Sequence, residues 1–283
     1  MTACFTTYPN ITMRIRLGRH NAPDFPHGAA VTIGNFDGVH LGHKHILQKL
    51  RLEADTRGLP VVTVVFEPQP KEFFALRTGR MPPCRISPLR TKLELLEGTG
   101  CVDAVWVLRF DQNFSEISAQ GFIDRLLRQT LNTRYLLVGD DFRFGAGREG
   151  CFELLAQQPD MQTERTPSVI VEDIRTSSTA VRQALSDGNL AYAKKLLGHD
   201  YVLSGRVVHG RKLGRTLNAP TATSACPATV MHSAACSSSK RTARSARGAA
   251  WRASASIPPL IATVFKSWKS TCSTFKAICT DNG

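Results

Sequence analysis

Two histidines three residues apart lie in a glycine-rich run, Gly34-Asn35-Phe36-Asp37-Gly38-Val39-His40-Leu41-Gly42-His43. The apolar stretch 29–33 precedes it, and Ile46, Leu47, Leu50 and Ala54 follow at helical spacing. The run therefore joins a buried strand to the start of a helix. A helix start offers backbone N–H groups with no intrahelical partner and the positive end of the dipole, a combination that suits phosphate. Glycines in such a loop let the backbone turn tightly and approach a ligand. From the first turn, His40 and His43 can donate hydrogen bonds to charge that develops during phosphoryl transfer. Two ordinary surface histidines are the competing reading, and the strand-loop-helix setting argues against it.

Three further segments carry polar or aromatic groups next to predicted strand ends. Thr176-Ser177-Ser178-Thr179-Ala180-Val181-Arg182 clusters hydroxyls at a helix start and adds an arginine one turn later. One hydroxyl suffices for a cap; several, with Arg182 as a charge-assisted donor, suit a triphosphate. Val138-Gly139-Asp140-Asp141-Phe142 could hold a ribose, a base or a magnesium–phosphate group, or be an acidic turn, and spacing alone does not decide. Phe66-Glu67-Pro68-Gln69-Pro70 is a rigid aromatic turn of the kind that lines an apolar pocket.

The elements that position these segments alternate between strand and helix. Strands are predicted over 29–33, 61–66, 104–110, 135–139 and 169–171, and helices from Ile46 to a stop at Gly58, over 88–97, over 118–131 and from Ser177 or Ser178 through Leu185. This alternation predicts βαβ crossovers and a mainly parallel sheet, with ligands beyond the carboxyl ends of the strands.

Taken together and in this order, IGNFDGVHLGH, VVFEPQP, LVGDDFRFGAG and SSTAVRQAL resemble the bacterial bifunctional riboflavin kinase/FMN adenylyltransferases, over about residues 13–222. The resemblance implies an α/β fold: a Rossmann-like nucleotidyltransferase domain with a parallel sheet over 13–187, then the start of a riboflavin kinase β-barrel over 188–222. It implies transfer of AMP from MgATP to FMN, with Mg2+ as cofactor and ATP and FMN as the small-molecule partners. His40, His43 and Arg182 are the catalytic residues it implies. ATP contacts are implied for Gly34, Phe36, Asp37, Gly38, Gly42, Asp141, Ser177, Ser178 and Thr179, and flavin contacts for Phe66 and Pro68. Thr176 stands where the family usually has Ile, a small change in packing. H-x-G-H alone would also fit another phosphorylated acceptor, nicotinamide mononucleotide or pantetheine phosphate; the F-D-G before it and the kinase-like opening favour the flavin. An inactive remnant that only holds nucleotide or flavin is the other alternative.

The second domain departs from the family. YVLSGRVVH, 201–209, alternates as a strand, and the basic turn GRKLGRTLNAP follows. The family then reads P-T-A-N, whose Thr and Asn help hold magnesium–ATP; here it is Pro220-Thr221-Ala222-Thr223, leaving Thr221 as a vestigial metal ligand. The family's kinase base is a late Glu, and the last Glu of this chain is Glu172. Residues 223–283 are rich in Ala and Ser, hold four of the eight cysteines and show no clear period, which reads as translation in a wrong frame or as an irregular, disordered tail. Kinase activity is therefore expected to be lost.

Composition bounds the partners. The net charge of +13 is concentrated in that tail, where eight Lys/Arg face one acid, against 28 basic and 22 acidic residues in the rest. Solvated charge is a better reading than a polyanion site, and no specific nucleic-acid partner is expected. No apolar run approaches the ~20 residues of a membrane span, and 1–19 lacks the apolar core of a secretory signal. Met13 offers an alternative start. Scattered cysteines without C-x-x-C or zinc spacing fit a reducing cytoplasm.

Overall fold

The computed structural model describes residues 13–18, 25–171, 173–208, 221–225, 241–244, 250–253, 263–264 and 274–279. The alternative start's upstream segment, 1–12, lies outside them. The chain divides into two units, Met1–Pro83 with Leu93–Ile170, and Cys84–Lys92 with Val171–Gly283.

The first unit is built on six strands: β1 Arg14–Leu17, β2 Ala29–Ile33, β3 Val61–Glu67, β4 Ala104–Arg109, β5 Thr133–Gly139 and β6 Gln162–Thr166. They form one sheet in the order β1-β4-β3-β2-β5-β6, and every pairing is parallel. β2 and β3 are buried along almost their whole length, as strands covered on both faces must be, which is why they read as continuous apolar runs. The edges are polar: β1 is RIRL and mostly exposed, and β6 is QTERT.

Helices connect the strands. α1 spans Leu41–Arg57 and stops at Gly58, whose left-handed φ of 63° lets its N–H bond the carbonyls of Ala54 and Asp55. α2 is Pro70–Arg77, α3 Leu89–Glu97 and α4 Gln112–Ser115. α5, Ala119–Gly121, continues as a π-helical stretch, Phe122–Thr130. Its Phe122, Ile123, Leu126 and Leu127 are buried as their spacing predicts, packing with Trp106 and Leu108 of β4. α6 is Phe152–Ala156.

The parallel sheet and helical crossovers match the α/β expectation, with one correction. The strand expected at 169–171 is not a member of the main sheet. Ile170–Val171 is β7, which pairs with β8, Ile174–Arg175, in a two-stranded ribbon. The sheet's last strand is the preceding β6, whose polar sequence carries no apolar run because it is an edge. Pro70, read as a strand stop, is also the first residue of α2.

Two polar clusters fasten this unit. Arg51 of α1, 7% exposed, reaches the Asp103 carboxylate at 2.6 Å, and Asp103 also accepts the Val61 N–H at 2.6 Å. Burial pulls the Arg51 pKa down, but its hydrogen bonds and charge contacts with Asp103 and Asp55 outweigh that and leave it raised. The pair thereby ties α1 to the starts of β3 and β4. Across β5 and β6, the Glu164 carboxylate accepts from Lys49 Nζ and from the Tyr135 hydroxyl. The Lys49 bond, then the Tyr135 bond, hold its carboxyl below the ordinary range.

In the second unit, α7 Ser178–Ser186 and α8 Leu190–Leu197 enclose a core of Val181, Leu185, Leu190, Leu196 and Leu197 with Ile86 and Tyr201. Strands β9 Tyr201–Val208, β10 Thr221–Ala225, β11 Arg241–Arg244, β12 Ala250–Ala253, β13 Thr263–Val264 and β14 Thr274–Cys279 follow. They pair antiparallel in the order β12-β11-β14-β9-β10-β13. Five of these short strands include residues of the segment whose composition reads as irregular; most residues between them lie outside the described ones. Among the described residues, no helix is long and apolar enough to cross a membrane.

Asp103→Ala leaves the Val61 N–H without its carboxylate acceptor and Arg51 with Asp55 alone as charge partner among the described residues, so it is expected to cost about 1–3 kcal/mol in urea unfolding. Glu164 contributes in a defined pH window. Its folded pKa is depressed, so its contribution is present above the unfolded carboxylate value, about 4.3, and is lost as pH falls through the folded value. Wild type and Glu164→Gln should therefore differ in melting temperature near neutrality and converge below that value.

Candidate active site

In the first unit the order of strands reverses between β2 and β5. The chain places β3, β4 and β1 on one side of β2, and β5 and β6 on the other. In open parallel sheets such a point leaves a crevice beyond the carboxyl ends, where ligands bind. β2 ends at Ile33, immediately before Gly34, and β5 ends at Gly139, immediately before Asp140 and Asp141. Two of the four segments singled out by sequence thus meet at the switch point.

The loop after β2 is tightly wound. The Gly34 N–H bonds the Val64 carbonyl at 3.1 Å, holding the loop's start to β3. Phe36 and Val39 take positive φ of 45° and 43°, and Gly38 takes 76°. Positive φ is a genuine outlier for a β-branched residue such as Val39, and Val39 is fully buried, so packing holds it there. The turn brings His40 to the N-cap of α1 in an extended conformation, where its side chain makes no capping bond to the helix amides. His40 and His43 stack with ring centroids 3.6 Å apart and planes 20° apart. Phe36 lies against His43 at 4.9 Å and is itself only 2% exposed. A methyl group on Gly34 would approach the Phe36 ring to 3.1 Å. The bare glycine, the buried ring and the paired imidazoles therefore form one stacked unit at the helix start. Asp37 is buried at 1% exposure, so with Phe36 it shapes the loop from within. Gly42 lies in the first turn of α1, and burial pulls the Lys44 pKa down.

Across the switch point, Asp140 and Asp141 are exposed. Asp140 accepts a hydrogen bond from the Ser168 hydroxyl at 2.9 Å, and Asp141 Oδ1 comes within 3.6 Å of where a Gly139 methyl would sit.

At the carboxyl ends of β3 and β4 the structure assembles an aromatic wall. Phe66 packs edge-on to Phe110 at 5.6 Å and against Phe114 at 5.2 Å. Phe73 and Phe74 of α2 join Phe110 at 5.4 and 5.8 Å. Phe114 also lines a cavity of about 150 Å³ with Trp106, Leu108, Ile117 and Phe122. Pro68 is half-buried at the turn before α2. Of this wall, sequence reasoning found only Phe66 and Pro68; Phe73, Phe110 and Phe114 come from three separate segments, and no local pattern joins them.

The remaining candidates lie in the second unit. Ser177 is the N-cap of α7, and its hydroxyl accepts the Ala180 N–H at 3.1 Å, so it performs the capping role that the sequence allowed. Ser178 opens the helix and Thr179 is exposed. Arg182 Nε donates to the Cys84 carbonyl at 2.6 Å, which orients the guanidinium. Thr221 opens β10, pairing with Val264, and its side chain lies outside the described residues.

Because Gly34 admits no methyl without moving the Phe36 ring, Gly34→Ala should cost about 1–3 kcal/mol in urea unfolding.

Residues 22–180 match the FAD synthetase family, and residues 197–244 the riboflavin kinase family. The bifunctional riboflavin kinase/FMN adenylyltransferase of Escherichia coli is 50% identical over 215 residues, 74% of this chain and 67% of that protein. Those of Haemophilus influenzae and Pseudomonas fluorescens are 44% and 42% identical, each over 74% of this chain and 68% and 67% of their own length. A crystal structure titled as a macrolide-efflux protein from Streptococcus pneumoniae superposes with a TM-score of 0.74 over 95% of this chain and 90% of that one; at 24% identity the likeness is one of fold. On the combined evidence of the stacked histidine loop, the parallel sheet and these relatives, the chain belongs to the FAD synthetase family.

Proposed function

We propose that this chain transfers AMP from MgATP to FMN, giving FAD and pyrophosphate. The observation that carries the reading is the His40–His43 stack at an α1 N-terminus that opens on the sheet's switch point. An FMN phosphate oxygen attacks the α-phosphorus of ATP, the bond to the bridging oxygen breaks, and pyrophosphate leaves with the electron pair. No covalent protein intermediate is needed. The protein's part is to position the two phosphates and to stabilise charge on the oxygens around the α-phosphorus. The helix amides and the two imidazoles supply donors there. Phe36 and Gly34 keep the imidazoles parallel, and Gly38 lets the loop wind. Asp141 contacts the nucleotide, and for Ser177, Ser178, Thr179 and Arg182 the reading is contact with the triphosphate. Mg2+ enters as part of the MgATP substrate. It keeps most of its coordination as water and phosphate oxygen and needs only one or two carboxylates, a demand that the exposed Asp140–Asp141 pair can meet.

In this reading, residues 13–187 form the adenylyltransferase domain, 188–222 a partial riboflavin kinase domain and 223–283 an aberrant tail. Riboflavin kinase activity is lost. P-T-A-T in place of P-T-A-N removes one magnesium–ATP ligand, and no Glu lies between Glu172 and Gly283 to act as the base. The protein works in the cytoplasm, a reading that its scattered cysteines without C-x-x-C or zinc spacing support.

The purified chain with MgATP and FMN should form FAD, followed by chromatography, and with MgATP and riboflavin should form no FMN. No FAD from a folded sample would sink the transfer reading, and FMN from riboflavin would sink the kinase loss. His40→Ala and His43→Ala should each lower kcat by about 10²–10³-fold, with a smaller change in the KM for FMN.

A further inference from the structure

Gln69 holds a donor that its surroundings leave unused. It is the N-cap of α2 and is 3% exposed. Its backbone N–H donates to Glu72 Oε2 at 3.1 Å, and the Glu72 backbone N–H, bonded to the Gln69 backbone carbonyl at 2.9 Å, is shared with the Gln69 side-chain oxygen in a capping box. This reciprocal capping box fixes the orientation of the carboxamide. Turning it over would set an NH2 group against a backbone N–H. Nε2 is therefore committed as a donor, yet it is buried with no hydrogen-bond partner among the described residues. A buried donor without an acceptor costs on the order of 1–3 kcal/mol, and such groups persist where something else uses them.

The placement of Gln69 indicates what uses it. The residue lies between the end of β3 and the start of α2, so it is flanked in sequence by Phe66 on one side and Phe73 and Phe74 on the other. These rings, with Phe110 and Phe114, make the edge-to-face wall, and Phe74 is still 47% exposed. The histidine loop and the acidic turn stand at the ends of β2 and β5, whereas this wall stands at the ends of β3 and β4. The two substrates thus have separate strand ends available, phosphate donors at one and a flat apolar surface at the other. A planar ring on that surface that carries carbonyl oxygens would supply the acceptor that Nε2 lacks, and the pyrimidine portion of a flavin carries two.

We propose that Gln69 determines flavin specificity by donating a hydrogen bond from Nε2 to a carbonyl oxygen of the flavin ring. This rests on FMN being the acceptor substrate. Two substitutions in the full-length chain test it. Gln69→Glu keeps the side-chain length and an oxygen for the Glu72 N–H but removes the donors. Gln69→Ser keeps a helix-capping oxygen without added charge. FMN binding is read by quenching of flavin fluorescence, MgATP binding by calorimetry, and folding by thermal unfolding. Both variants should weaken FMN binding by about tenfold to a hundredfold, raise the KM for FMN in step, and leave MgATP affinity unchanged. Unchanged FMN affinity in the two folded variants overturns the proposal, as does a loss confined to MgATP. Wild-type chain that binds FMN but makes no FAD would remove the transfer reading and leave the Gln69 contact standing. Wild-type chain that binds no FMN would overturn both.

Discussion

The parallel pairing of β2 with β5 is the constraint on which the first unit depends. It joins two halves of the sheet that were laid down in opposite directions from β2, so the connections after β2 and β5 leave to different sides. The backbone beyond both strand ends is then uncovered by either crossover. A glycine-rich loop at one end and a pair of carboxylates at the other can face the same space only because of that pairing. The strands beside it, β3 and β4, complete the frame through the Asp103 carboxylate, which holds the start of β3 and the guanidinium of α1 together.

Within that frame packing holds the histidine loop rigid. Val39 holds a positive φ because it is wholly enclosed. Phe36 holds one because its ring fills the space between Gly34 and His43. The resulting stack presents two imidazoles in a fixed relation at the amide end of a 17-residue helix. Catalysis by positioning asks for such preorganised donors, and the packing that sustains the loop's positive φ values holds them in place. The aromatic turn before α2 follows the same logic. There a reciprocal capping box orients one carboxamide and leaves its donors aimed away from the helix amides.

The sequence by itself determined the central strands and the helix faces, because burial on both sides of a parallel sheet demands unbroken apolar runs and a buried helix face demands its 3.6-residue spacing. It also marked the loops proposed to carry chemistry, since glycine, histidine and clustered hydroxyls gather at strand-to-helix junctions, and two of those loops stand at the switch point. The edge strands escaped it. β1 and β6 are polar because they face water, so they carry no apolar pattern, and the apolar Ile170–Val171 pair drew the assignment away from β6. Tertiary structure alone decided the stacking of His40 on His43 through Phe36, the wall that gathers Phe66, Phe73, Phe110 and Phe114, and the burial of Gln69 Nε2. Each depends on distances between side chains set by backbone torsions and by the packing of segments far apart in the chain, and residue type and spacing do not encode those distances.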